Sequence, residues 1–269
     1  MQRVPSAQRR RLKKRVGEWR CATWNIGTMT GRSREIAETM KQRKEKILYV
    51  QEVRWRGGGG REIGECYKLY YSGSRTGRNG VGIILDEELK QRVVYIVQKP
   101  SDRLMTIKVL AGKSLINIVS GYAPQFGCED QEKKEFREQL EQSVREIPEE
   151  EEIILGAELS YRRNSRSGDS SSQIDFLVVK KRTRKNVRDA KVIPGEEVAY
   201  QHKLLVMDGT FSKKRIGETT EKKLQNFKVW KLRECAGEYR RERMGRANRT
   251  TSSGKSDTAS KPAGGVSCP

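Results

Sequence analysis

Six times along this chain a short apolar run carries a polar or acidic residue at one end: Asn25, Glu52, Tyr122, Glu158, Asp175 and His202. One such residue means little, because Asn or Glu at a strand end is usually a turn or a cap. Tyr before Ala-Pro is usually packing, and a lone histidine is more often structural than catalytic. Recurrence changes the weight. Buried strands that each deliver a polar group to an edge restrict the fold to a sheet-rich one with a shared polar rim. The stretch 151–175 shows the pattern best. Ile153-Ile154-Leu155 runs into Gly156 and then Glu158, and Ile174-Asp175-Phe176 opens the next run after a Ser- and Arg-rich interval.

The rest of the chain fits that reading. Trp19 to Thr28 predicts a first strand, and Arg32 to Arg43 a helix with Ile36 and Met40 on one face. Ile47 to Val50 is a compact strand. Gly57 to Gly60 reads as a flexible loop, without the Lys-Ser/Thr of a phosphate-cradling loop. Strands follow at 67–71, 80–85, 93–98, 104–110 and 114–122, with Arg78-Asn79-Gly80 as a hairpin signal. Cys128 to Ile147 predicts a helix with an apolar stripe of Phe136, Leu140, Val144 and Ile147, stopped by Pro148. Further strands are expected at 153–155, 174–179, 191–193 and 204–207. Mostly antiparallel strands with a few interspersed helices predict an α/β (α+β) fold, two sheets packed face to face and covered by helices.

Charge separates the ends from the middle. The net charge is +21, of which residues 1–20 carry +7 and residues 209–269 carry +9. We therefore expect a basic disordered arm over 1–18, a folded domain over 19–208 and a basic, largely disordered tail over 209–269. Within the tail, Phe227 to Leu232 suggests a docking or helical segment, with a short helix near 227–243. Basic arms suit a polyanion, because each phosphate contact releases counterions. The run Arg9 to Arg15 is a candidate nuclear import signal, with the cytoplasm as the alternative location. Five scattered cysteines without a CxxC pair support neither a zinc cage nor a disulfide framework. No apolar stretch reaches membrane-spanning length, and no hydrophobic leader opens the chain.

A rim of carboxylates, Asn, Tyr and His without cysteine ligands suits Mg²⁺, or Mn²⁺ in its place, and such hard cations serve phosphoryl chemistry. The order of motifs TWNIGT, VQE, NGVGIIL, SGYAPQ, IILGAELS, SQIDFLVV and QHKLLVMD resembles the endonuclease/exonuclease/phosphatase superfamily over about Trp19 to Asp208. The likeness is greatest to the LINE-type (non-LTR) retrotransposon endonuclease domain and to craniofacial development protein 2-like proteins. It implies a four-layer sandwich and Mg²⁺-dependent cleavage of a phosphodiester. By position, Asn25 would orient the site and share the metal with Glu52, and Tyr122 would contact the phosphate. Glu158 would position or deprotonate water, Asp175 would orient His202, and His202 would contact the scissile phosphate. Ser160, Arg78 and Asn79 are candidate substrate-binding residues.

The chain departs from that pattern. Glu158 stands where the family has Asp, Ser160 where it has Asn, and Gln201 where many members have Asp. Only sixteen residues separate Glu158 from Asp175, where the family places several tens. The fold is thus expected to be internally shortened, with the Glu158 side of the pocket misplaced or open. Three readings follow: a monomeric endonuclease of nucleic acid, DNA before RNA, impaired by the shortening; an inactive nucleic-acid- or chromatin-binding scaffold; and a phosphatase of small phosphoesters.

Overall fold

The structure is a computed structural model and describes residues 17–98, 101–111, 114–125, 127–159, 175–194 and 203–211. Ser160, His202, the basic run at Arg9 to Arg15 and the segment expected near 227–243 lie outside the described residues.

Among the described residues twelve strands form two sheets. The larger is built from β1 (Glu18–Asn25), β2 (Ile47–Gln51), β3 (Gly58–Ile63), β4 (Tyr67–Ser72), β5 (Val81–Leu85), β11 (Val187–Ile193) and β12 (Leu204–Thr210), in the order β11-β12-β1-β2-β5-β4-β3. The smaller runs β10-β9-β8-β7-β6, from β6 (Val93–Gln98), β7 (Leu104–Ala111), β8 (Ser114–Tyr122), β9 (Glu152–Glu158) and β10 (Asp175–Val179). Pairing is antiparallel except for β1 with β2 and β8 with β9. Those two exceptions place the C-terminal ends of two strands side by side in each sheet. Asn25 pairs with Gln51 in one sheet, and Tyr122 pairs with Glu158 in the other.

Three apolar clusters give the four expected layers. Between the sheets lie Cys21, Ile47, Tyr49, Ile83, Ile107, Ile118 and Ile154 among others. On the outer face of the larger sheet, Trp24, Leu48 and Val50 meet Ile36, Ala37 and Met40 of α1 (Ser33–Arg43). On the outer face of the smaller sheet, Val119, Ile153 and Leu155 meet Leu140 of α3 (Asp130–Arg145). Alternate residues of β1 and β2 therefore serve opposite layers, as the two-residue period of a strand requires. Each fully buried Ile or Leu contributes about 2 kcal/mol to this association. A short helix, α2 (Glu87–Lys90), is capped by Asp86, whose carboxylate accepts from Leu89 N at 2.9 Å.

Gly156 sets the distance between the sheets. A Cβ there would lie 2.2 Å from the Tyr49 ring. With only hydrogen at that position the ring packs against β9, and the Tyr49 hydroxyl donates to Ile154 O at 2.8 Å.

Three sequence expectations need correction. Gly57 to Gly60 is not a loop. Gly58–Ile63 is an edge strand in register with β4, Gly58 opposite Ser72. Glycines carry no side-chain alternation, so the pattern that marks a strand was absent. The apolar stripe of α3 is also different. Val144 is 38% exposed and Ser143 is buried, its hydroxyl donating to Gln139 O at 2.7 Å. Seven residues bring Ser143 to about 20° from Phe136 around the helix, whereas eight carry Val144 about 80° away. Third, the β1–β12 pairing extends to Glu18 opposite Thr210, beyond the expected start of the first strand at Trp19 and the expected end of the last at Met207.

Candidate active site

The two parallel pairs and the antiparallel start of β10 bring their functional ends to one rim. Asn25 ends β1, Glu52 follows β2, Tyr122 ends β8 and Glu158 ends β9. Asp175 opens β10 directly opposite Glu158 in the ladder. On the larger sheet, β12 begins at Leu204 beside the end of β1, with Leu205 opposite Thr23.

Asn25 joins the two acids. It is 1% exposed, and its Nδ2 donates to Glu52 Oε1 at 3.0 Å and to Glu158 Oε2 at 2.6 Å. Ionised carboxylates only accept, so the amide must turn its nitrogen towards them. Its Oδ1 faces the other way and accepts from Gly27 N at 2.9 Å. In this arrangement the Asn25 nitrogen serves the two carboxylates and its oxygen is taken up by the backbone of Gly27. Tyr122 Oη also donates to Glu52 Oε1, at 3.0 Å, and accepts from Gln125 Nε2 at 3.2 Å. The Arg54 guanidinium donates to Glu52 Oε2.

These contacts decide charge. Burial pushes the Glu52 carboxyl up, but the hydrogen bonds from Asn25, Arg54 and Tyr122 outweigh it and hold the group below its ordinary value. Tyr122 moves the opposite way. Burial, then the charges of Glu52 and Glu158, raise its hydroxyl well above the usual range, so it remains a donor at every physiological pH.

The expectation of an open, misplaced Glu158 side is not met. Glu158 is 6% exposed, and Ala123 N donates to its carbonyl at 2.9 Å. Parallel pairing with β8 sets Glu158 opposite Tyr122 at the end of β9.

A cavity of about 210 Å³ opens beside Glu52 and Tyr122, with Arg54, Arg78, Asn79 and Arg103 in its wall. A larger groove, about 760 Å³, lies between α1 and β3. The convergent polar groups line the smaller one, which makes it the candidate site. Asn79 is held by Asp102 (Nδ2 to Oδ2, 2.8 Å), and the Arg103 guanidinium stacks 5.3 Å over the Tyr122 ring while pairing with Glu132 at 2.6 Å.

The structure thus brings Asn25, Glu52, Tyr122 and Glu158 into one network, sets Asp175 next to Glu158, and puts Arg78 and Asn79 in the adjoining wall. Arg54, Arg103 and Gln125 were not singled out from the sequence. Each had a signal: Arg54 follows Glu52 by two residues, Arg103 precedes a strand at the same rim, and Gln125 closes SGYAPQ.

Among the described residues no three His, Cys, Asp or Glu side chains cluster to hold a cation. Magnesium does not require such a cage, since it commonly takes one or two carboxylates with waters and substrate phosphate. Glu52, the carboxylate in the wall of the smaller cavity, is the side chain that could supply one such ligand there. The Oε2 atom of Glu52, however, already receives Arg54.

No protein-family model matches the chain. It is 22% identical to craniofacial development protein 2 from Bos taurus over 76% of its own length and 43% of the relative's, so it spans less than half of that protein. Among solved structures it is similar to an AP endonuclease from Archaeoglobus fulgidus, at TM-score 0.53 and 16% identity, covering 70% of this chain and 98% of that one. It is also similar to the 3′ phosphatase NExo from Neisseria bound to product DNA hairpin, at TM-score 0.52 and 13% identity, covering 71% and 99%. With its two mixed sheets and flanking helices, the chain has the α/β sandwich fold of the endonuclease/exonuclease/phosphatase proteins, and its sequence is similar to craniofacial development protein 2.

Proposed function

We propose that this chain is a Mg²⁺-dependent phosphodiesterase that cuts nucleic acid internally, derived from the LINE-type endonuclease branch. One observation carries the reading. The Asn25 amide bridges Glu52 and Glu158 from strands of two different sheets, and Tyr122 completes the network. A packing role alone does not call for two buried carboxylates 2.6 and 3.0 Å from one amide.

In this mechanism Glu52 would hold the cation, Mg²⁺ or Mn²⁺ in its place, which would supply positive charge against the phosphate as negative charge builds on it. Asn25 keeps the two carboxylates in fixed relation. Glu158 takes the proton of the attacking water, which adds to phosphorus in line. One P–O ester bond breaks, giving a phosphate monoester and a sugar hydroxyl that takes up a proton. Tyr122, held protonated by its surroundings, donates to a phosphate oxygen. Asp175 and His202 complete the set by resemblance, with Asp175 orienting the imidazole.

Nucleic acid is favoured over small phosphoesters by the arginines in the cavity wall and by the net +7 and +9 of the chain's ends. The relative that is bound to a product DNA hairpin points the same way. We further propose a nuclear protein acting as a monomer, on the basic run at Arg9 to Arg15.

A second reading, a binding scaffold without turnover, is favoured by Arg54 on Glu52 and by Glu158 and Ser160 in place of the family's Asp and Asn. Nicking of supercoiled and abasic DNA in Mg²⁺ and in EDTA decides. Cleavage that needs Mg²⁺ and is lost in Glu52→Gln supports the enzyme. Salt-sensitive binding with no cleavage leaves the scaffold.

A further inference from the structure

Arg54 is placed in an unusual way. Glu52 and Arg54 both have left-handed backbone, φ 57° and 56°, and apart from Lys44 they are the only non-glycine residues with positive φ among those described. Such a conformation is unfavourable for a residue with a Cβ. The surroundings hold it. Val53 is fully buried, its N–H donates to Gly80 O at 3.1 Å, and Arg54 N–H donates to Asn79 O at 2.9 Å. The result is a short loop that aims an acid and a base at each other.

The two ends of that ion pair differ. The Glu52 side chain is 12% exposed and has three donors, while that of Arg54 is 51% exposed and bonds only to Glu52 among the described residues. Arg54 also lines the cavity beside Tyr122. Its head is therefore anchored at one point and otherwise faces open space. Glu52 Oε1 already has two donors, so Oε2 is the atom through which this carboxylate would meet a cation.

We propose that Arg54 is a displaceable counter-ion for Glu52. It neutralises the buried carboxylate until a divalent cation arrives, competes with that cation for Oε2, and on release turns its charge to the cavity wall it shares with Arg78 and Arg103, where a phosphodiester binds. The role rests on the reading of Glu52 as the cation ligand. It makes cation loading and phosphate recognition parts of one event.

The test is Mn²⁺ binding to the full chain, read from the loss of the free-ion paramagnetic resonance signal, without substrate. Arg54→Gln is expected to bind Mn²⁺ about tenfold more tightly than the natural chain, the size of one partly exposed charge-assisted contact. Arg54→Lys, which keeps the charge, is expected to stay close to the natural chain and so separates competition from loosening of the loop. Unchanged or weaker binding in Arg54→Gln, with binding still lost in Glu52→Gln, overturns the role of Arg54 and leaves the metal site standing. Binding indifferent to Glu52→Gln overturns the site itself and the inference with it.

Discussion

Two glutamates bracket the same five-residue strand, β2, and they live in opposite conditions. Glu45 precedes it and Glu52 follows it, and both are buried, at 1% and 9% exposure. Glu52 receives three donors and is held ionised. Neither side-chain oxygen of Glu45 has a hydrogen-bond partner among the described residues. Arg20, whose charge also acts on Glu45, commits its guanidinium to Asp208 at 2.6 and 2.8 Å and to Arg43 O at 2.8 Å. Burial therefore dominates at Glu45 and lifts its carboxyl to about 7, against the lowering charges of Arg43 and Arg20. A buried acid does not mark an active site by being buried. What marks it is the set of donors that keeps it charged.

The largest effect separates the two ends of β2 by activity. Glu52→Gln should reduce metal-dependent cleavage about a thousandfold, while Glu45→Gln should leave the rate as it was. Steady-state nicking of plasmid DNA measures both. Equal losses would erase the distinction.

Stability against pH comes next, with opposite signs. Glu45 titrates higher in the folded chain than its ordinary 4.5, so the folded state holds the proton longer. Its contribution is fully present below about 4.5 and is lost as pH rises to about 7, by about 3 kcal/mol. Glu52 is shifted down, so its contribution is present above 4.5 and is lost as pH falls through its lower folded value. Urea unfolding from pH 4 to 8 should show the Glu45 slope in the natural chain and not in Glu45→Gln.

Gly156→Ala probes what holds the two sheets, and thus the rim, together. A Cβ at 2.2 Å from the Tyr49 ring should cost about 2 kcal/mol. Urea midpoints would reveal it, and no change would mean the sheets can part without loss. The smallest effect belongs to Gln125→Ala, which frees the Tyr122 hydroxyl from one donor. A severalfold fall in rate with the pH optimum unchanged is expected, about 1 kcal/mol; a rate equal to the natural chain's would remove Gln125 from the site.

Much of this was legible because strand ends carry the chemistry. Asn25, Glu52, Tyr122 and Glu158 could be picked out as polar closures of apolar runs, two sheets covered by helices follow from the strand-rich order with a few interspersed helices, and the four layers are what the family resemblance implies. Other parts left no such trace. Gly58 to Gly60 form a strand without side chains to alternate. Val144 was assigned inward because a spacing of four, repeated, drifts off the face that a spacing of four and then three maintains. Arg103 looks like an ordinary charge in a chain with 56 Lys and Arg, and only its distant partners, Glu132 and the Tyr122 ring, show that it belongs to the cavity wall. The Glu158 side proved closed because register with β8, a contact between distant residues, fixes it.

The central claim is that Asn25 makes Glu52 and Glu158 act as one unit. Its most direct test is a double-mutant cycle on cleavage in Mg²⁺, comparing the natural chain, Asn25→Ala, Glu158→Gln and the pair. The account predicts cleavage that EDTA silences, and a double variant no worse than its weaker parent. Losses that simply multiply, or a natural chain with no Mg²⁺-dependent cleavage to lose, would contradict it.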